Sequence, residues 1–305
     1  MRDLQIVDVT EEVVGQGLAE LGIPHLWLHA TGKNVKVAIF DSGIDAHHED
    51  LEGAVKGSVN FTPDPDADVF GHGTHCAGIV GARRNGRGIS GVAPDCDLYA
   101  VKVVDDQGGS EYAWIVQGFQ WAIANGIDVV SCSIAGRAYD ERLAGVVEAA
   151  YGRGIVIVAA AGNFGFRVGE DSTGYPARFP ETIGVGALDD DDARATFSSA
   201  GEGVNIMAPG TNILSSLPGN RYGVTRGTST AAPFVAGVVA LMIHKLRRDL
   251  VRVSPALIKE LIYLNARDVG LPGVDKFTGM GIIKPEALLA SILRKSGRFF
   301  RPPSA

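Results

Sequence analysis

Apolar runs alternate along the chain with segments of helical spacing. Val35-Lys36-Val37-Ala38-Ile39-Phe40 ends at Asp41, and residues 98–104 end near Asp105; residues 127–134 and 155–161 follow the same form. Near-continuous apolar strands belong in a parallel sheet covered on both faces. Within residues 111–125, Tyr112, Ile115, Val116, Phe119, Ala122 and Ile123 recur at three and four, which predicts a helix with one buried stripe, stopped by Gly126. Residues 140–151 and 230–247 read as further helices. Strand, helix and strand in succession predict an α/β fold with right-handed crossovers. No internal repeat or linker divides the chain. In such sheets ligands gather beyond the carboxyl ends of the strands, so the residues just past each strand come first in the search for chemistry.

Composition narrows the field. The chain has 305 residues with 46% hydrophobic and 21% charged, enough for a sizeable core and against wholesale disorder. Glycine is unusually common at 40 residues, without a Gly-X-Y period. The formal net charge of −7 argues against a general affinity for nucleic acid or anionic membrane. No uninterrupted apolar run reaches the roughly 18 residues of a membrane span. The first residues carry an acid and lack the apolar middle of a secretory signal. Cys76, Cys96 and Cys132 lack zinc-site spacing and read as three buried free thiols, which favours a reducing, cytoplasmic compartment; a secreted protein remains the reading if a leader and pro-segment were removed.

Four polar residues stand at element boundaries beside glycine. Asp41 opens Asp41-Ser42-Gly43-Ile44-Asp45, and His72 lies in Gly71-His72-Gly73-Thr74-His75-Cys76-Ala77-Gly78. Asn163 follows a strand through Gly162, and Ser229 lies in Gly227-Thr228-Ser229-Thr230-Ala231-Ala232-Pro233 before a long apolar helix. Singly, each has an ordinary reading as a cap, a turn former or a packing histidine. His72 and His75 at a spacing of three also suggest a metal pair, but no third ligand is near in sequence. Together they supply the groups of serine hydrolysis. A hydroxyl is a poor nucleophile until a base takes its proton, the imidazole needs an acid to hold its tautomer, and an amide past a strand end suits an oxyanion.

These blocks make the sequence similar to the subtilisin-like serine proteases, the subtilases. The similarity continues through residues 92–104, 112–130, 159–165 and 174–188, and covers about residues 34–289. The resemblance implies a three-layer α/β fold with a mostly parallel central sheet flanked by helices. It divides the chain into an N-terminal extension (1–33), a catalytic domain (34–297) and a C-terminal tail (298–305). It implies a serine endopeptidase in which Asp41 orients, His72 is general base and acid, Ser229 is the nucleophile and Asn163 donates to the oxyanion. Substrate would pair as an extra strand with Gly108-Gly109-Ser110 and with Ser133-Ile134-Ala135-Gly136. The pocket for the residue before the cut would be lined by Ser133, Ile134, Ala135, Ala160, Gly162 and Gly174. These are small or apolar, so large apolar or aromatic residues are expected there over Lys or Arg. Ala135 stands where glycine is usual and narrows the pocket, and Phe164 replaces a polar or acidic residue common beside Asn163.

The resemblance implies more than the cleft. Thr230 stands where the family often has methionine, and threonine cannot form a sulfoxide, so tolerance to peroxide is expected. Cys76 is either a thiol that bulky reagents exploit or an inert core thiol. Structural calcium is expected at Asp50 and Asn85 with backbone carbonyls of Arg83, Arg87 and Ile89, although two arginines in that loop are unusual. Residues 189–192, four consecutive acids, read as a solvated turn. Tyr175-Pro176 matches a family turn in which a cis bond is usual. Residues 1–33 are expected either to lie across the cleft as an inhibitory segment or to pack on the surface, and a removed prodomain is the other history. Polypeptides are the expected partners and a monomer the expected state, with no nucleic acid or membrane. The competing readings are a specialised processing peptidase or peptide ligase, and a catalytically silent binding module.

Overall fold

A computed structural model describes residues 4–166 and 168–299. In chain order the elements are β1 (Gln5–Val7), α1 (Gln16–Glu20), α2 (Ile23–Leu26), β2 (Lys36–Asp41), β3 (Val55–Asn60), α3 (His72–Gly81), β4 (Asp97–Lys102), α4 (Tyr112–Ala124) and β5 (Val129–Cys132). They continue with α5 (Glu141–Gly152), β6 (Val156–Ala160), β7 (Thr182–Leu188), β8 (Ile206–Pro209), β9 (Ile213–Leu217), β10 (Arg221–Thr225), α6 (Thr228–Arg248), α7 (Pro255–Leu264) and α8 (Pro285–Phe299).

The central sheet has seven strands in the order β3-β4-β2-β5-β6-β7-β8, and every neighbouring pair is parallel. Each expected apolar run forms a strand here. β5, β6 and β7 are buried at every position, as a sheet covered on both faces requires. One face carries α3 and α6, whose side chains share a core with Val37, Ile39, Val158 and Val185. The other carries α4 and α5, with Ile115, Phe119, Leu143 and Val147 against Phe40, Val130 and Ile157. Strand order reverses at β2, with β4 on one side and β5 on the other, so the carboxyl end of β2 is the crevice where ligands collect. Asp41 is the last residue of that strand.

α6 is the axle of the fold. It meets the length and mean hydropathy of a membrane span although no uninterrupted apolar run does, and 89% of the relevant window is buried inside the protein. Its apolar surface is thus satisfied by the sheet and by α3 and α8. A smaller antiparallel sheet, β1-β10-β9, packs beside α3. Residues 4–33 share the main core rather than forming a separate body, since Leu18, Ile23, Leu26 and Ala30 are buried in it. α8 carries on to Phe299, two residues into the expected tail; residues 300–305 lie outside the described residues. The Tyr175–Pro176 bond is cis, and all three cysteines are buried and free.

Candidate active site

The cleft builds up from strand ends and helix starts. Asp41 is almost wholly buried, and both its carboxylate oxygens lie 2.8 Å from His72 Nδ1. His72 opens α3. Behind the pair sits a second buried carboxylate. Asp68 Oδ1 accepts from Ser42 Oγ at 2.7 Å and from the Gly71 N–H at 2.8 Å. Its Oδ2 accepts from the Thr74 N–H at 2.8 Å and from Thr74 Oγ1 at 2.6 Å. Ser42 Oγ in turn accepts from the Gly73 N–H at 2.9 Å, while the Ser42 N–H donates to Asp41 Oδ1 at 2.8 Å. Asp68 therefore satisfies the free N–H groups that begin α3 and ties them to the end of β2. Lys102 Nζ, also buried, donates to the Ser42 carbonyl at 2.9 Å and pairs with Asp106 at 2.7 Å. Neither Asp68 nor Lys102 stands out in the sequence. The one signal is an acid four residues before His72, which looks like any surface turn until its burial is known.

Electrostatics around the imidazole are one-sided. Burial opposes its charged form, but the adjoining Asp41 carboxylate outweighs that and holds the His72 pKa well above 6.5. His75 is the opposite case. Burial, with the positive field of His72, lowers its pKa to about 4. Its Nε2 lies 3.2 Å from the carbonyls of both Ile213 and Gly223, so it serves as a neutral packing histidine tying α3 to β9 and β10. Cys76 Sγ lies 3.7 Å from His72 Nδ1 and donates towards Ser229 O and Ser133 Oγ. The thiol is fully buried and its pKa is pushed up by that burial, so it is neither accessible nor ionised.

Ser229 stands in the first turn of α6. Asn163 is held beside it by its own carbonyl oxygen, which accepts from the Thr228 N–H at 2.9 Å and Thr228 Oγ1 at 3.0 Å. That commits Oδ1 and leaves Nδ2 as the available donor. A β-carbon on Gly227 would lie 2.8 Å from Ser229 Oγ and 3.2 Å from Asn163 Nδ2, so hydroxyl and amide bracket one point. Gly227 has φ +154°, a value that side-chain-bearing residues rarely adopt, so glycine is required there twice over.

Asp41, His72, Asn163 and Ser229 all line one cleft of about 740 Å³, together with Gly108, Ser110, Ser133, Ile134, Ala135 and Gly136. Gly109 does not line it, and its N–H is tied to Asp105. Ala160, Gly162 and Gly174 are buried and stand outside its lining. Gly174 packs behind Ala135: a β-carbon on it would lie 2.8 Å from the Ala135 methyl.

Of the expected cation residues, Arg83 and Ile89 lie against Asp50, with the Arg83 N–H donating to the Asp50 carbonyl at 2.7 Å. Asp50 is fully buried; Oδ2 accepts from the Ile89 N–H at 3.1 Å, and Oδ1 has no protein partner. Burial pushes its pKa up. The Arg83 guanidinium is engaged away from the carboxylate, on the carbonyls of Pro94 and Gly53, and Arg87 faces Glu49 at 3.5 Å. Neither arginine therefore occupies the Asp50 oxygens. Asn85 Oδ1 accepts from the Arg87 N–H at 3.1 Å, which uses one of its two lone pairs. A buried carboxylate oxygen without a partner fits a hard, oxygen-liganded cation.

Comparison with known proteins settles the lineage. Residues 32–281 match the profile of the Subtilase family. The chain belongs to that family. It is 47% identical over 236 residues to Subtilisin E of Bacillus subtilis (strain 168), covering 76% of this chain and 61% of that one. It is 47% identical to Subtilisin of Bacillus pumilus, covering 76% of this chain and 85% of the relative. It is 37% identical to the Intracellular serine protease of Paenibacillus polymyxa over 294 residues, covering 92% of this chain and 88% of that protein. The alignment with Subtilisin E thus spans about three fifths of that protein's length.

Proposed function

We propose that this subtilase is a serine endopeptidase. One observation carries the reading: the Asp41–His72 pair shares a cleft with Ser229, whose hydroxyl lies beside the free amide nitrogen of Asn163. With Nδ1 held by Asp41, the other ring nitrogen of His72 is the one to take the Ser229 proton. The hydroxyl oxygen then attacks the peptide carbonyl, and His72 returns the proton to the leaving amine. The developing oxyanion is met by Asn163 Nδ2 and the Ser229 N–H at the positive start of α6. Water repeats the sequence on the acyl intermediate. Losing one such oxyanion donor costs about 3–4 kcal/mol in the barrier.

Substrate backbone pairs with the 108–110 and 133–136 segments, which is tolerant of sequence, so selectivity falls to side-chain pockets. The apolar side chains of Ile134 and Ala135 in the cleft favour apolar or aromatic residues before the cut. Calcium held by Asp50, Asn85 and the carbonyls of Arg83, Arg87 and Ile89 is proposed as structural, supported by the unpartnered Asp50 oxygen. None of the described residues of the N-terminal extension lines the cleft. β1 instead pairs with β10, which favours surface packing over inhibition. The alignment with the Intracellular serine protease reaches more of the chain than that with Subtilisin E. With three buried thiols and no disulfide among the described residues, this supports a cytoplasmic setting.

The test is digestion of an unfolded protein by wild type and Ser229→Ala, with and without a fluorophosphonate. Wild type cuts after apolar residues and takes the label; the variant does neither. Equal turnover by the variant refutes the assignment, whereas labelling without cutting favours the silent-binder reading. Joined rather than cleaved products favour the ligase.

A further inference from the structure

The chain is acidic overall, at −7, yet its cleft carries the opposite sign. Among the described residues lining it, Asp41 is the one carboxylate, and it is committed to His72. Arg137 and Arg226 are the other charged side chains there. Arg226 stacks over Phe197, with its guanidinium carbon 5.6 Å from the ring centroid. Arg137 lies over Phe164 at 5.0 Å and has no ion pair among the described residues. The nearest carboxylate along the chain, Asp140, is taken by Arg142 at 2.8 Å and by the start of α5.

Arg137 is held in place on a fixed backbone. Gly136 exchanges two hydrogen bonds with Tyr175, at 2.9 and 2.7 Å, and Tyr112 OH donates to the Ala138 carbonyl at 2.6 Å. Phe164 is positioned as firmly. Its N–H donates to Ser199 Oγ at 3.2 Å, and its ring packs so close to Gly162 that a β-carbon there would meet two ring carbons at 2.9 Å.

We propose that Arg137, seated on Phe164, is a specificity-determining residue that makes the enzyme accept an acidic side chain immediately before the scissile bond. This rests on the serine endopeptidase reading. Asn163 faces the carbonyl under attack, which belongs to the residue before the cut. Phe164 is the next residue and carries Arg137 on its face. The guanidinium is therefore the formal charge adjacent to that side chain. Arg137 lines the cleft and is exposed at its rim, where a side chain of glutamate length can present its carboxylate. A lysine there meets like charge with no carboxylate to receive it.

The experiment uses three fluorogenic peptides, identical and otherwise uncharged, with Glu, Gln or Lys before the cut. Wild type, Arg137→Gln and Arg137→Glu are compared by kcat/KM at low and high ionic strength, each referred to its own Gln peptide. The expected wild-type ratio of Glu to Lys is about tenfold or more at low salt, shrinking at high salt as exposed charges are screened. Arg137→Gln collapses the ratio towards one, and Arg137→Glu inverts it. A wild-type ratio at or below one, or a ratio that neither variant moves, overturns the inference while leaving the endopeptidase reading intact. A fourth peptide with Leu before the cut is the control: cleavage of that peptide alone overturns the inference, and cleavage of none of the four by wild type overturns both.

Discussion

At the residue scale the decisive quantity is the proton on His72. Its pKa is held well above 6.5 by Asp41, against the pull of burial. In the proposed mechanism the active form is the neutral imidazole, so activity is present above that pKa and lost as pH falls through it. We expect kcat/KM to rise along a single-proton limb with its midpoint above 6.5. In Asp41→Asn the anion that stabilises imidazolium is gone, so the limb moves to lower pH. The rate also falls by about 10⁴-fold, because the tautomer is no longer fixed. A pH profile with a midpoint below 6.5 in wild type contradicts this account of the pair. The neighbouring thiol does not compete for the role. Cys76 is sealed and un-ionised, which favours the inert reading of that residue over the reactive one.

At the scale of elements, the proposed catalysis depends on how closely α3 is pressed against the end of β2. Gly73 is the contact point: a β-carbon there would lie 2.0 Å from the Gly43 carbonyl oxygen and 3.1 Å from the Asp41 β-carbon. Both are backbone or rigidly held atoms, so an added methyl must push the helix away. Gly73→Ala is expected to cost about 1–3 kcal/mol of stability, as overpacking does, read as a lower Tm. It should also lower kcat more than it changes KM, since His72 moves relative to Asp41 while the substrate-pairing segments stay put. Unaltered Tm and kcat would show that α3 has slack which the contacts deny. The Asp68 clamp acts on the same joint from below. It holds the Gly71 and Thr74 N–H groups and, through Ser42, the Gly73 N–H and Asp41. Two elements far apart in sequence are thus joined at hydrogen-bonding distance just behind the reacting atoms.

For the whole molecule, the question is what holds the periphery to this rigid centre. The segment around Val13 pairs with the loop at Gly88 and Ser90, with Val13 N donating to Gly88 O at 2.7 Å and Ser90 N to Val13 O at 3.2 Å. That loop also abuts the buried Asp50 carboxylate through Ile89. A calcium ion there would tie the N-terminal extension, the turn after β2 and the β9–β10 hairpin together, because Ser216 and Tyr222 also border Asp50. Calcium at 100 times its Kd would add about 2.7 kcal/mol to unfolding. We therefore expect a chelator to lower Tm in wild type and to leave Asp50→Ala unmoved. A wild-type Tm indifferent to the chelator refutes the site.

What the sequence determined by itself is the part governed by local periodicity and local chemistry. The apolar runs specified β2, β4, β5 and β6, the 111–125 stripe specified α4, and the glycine-flanked polar residues marked Asp41, His72, Asn163 and Ser229. These signals survive in one dimension because burial on both faces leaves few polar choices in a strand, and tight turns leave few residues but glycine. β7 and β8 are not legible because β7 has glycines at 184 and 186 within its apolar run and β8 ends in a proline, which speaks against a strand. Tertiary structure alone decided the second layer of the site. Nothing in one dimension distinguishes Asp68, Lys102 or Arg137 from their neighbours until folding places them beside Ser42, Asp106 and Phe164. The reason is physical: a charge acquires its function from the dielectric and the partners around it, and both are set by segments that meet only when the chain has folded.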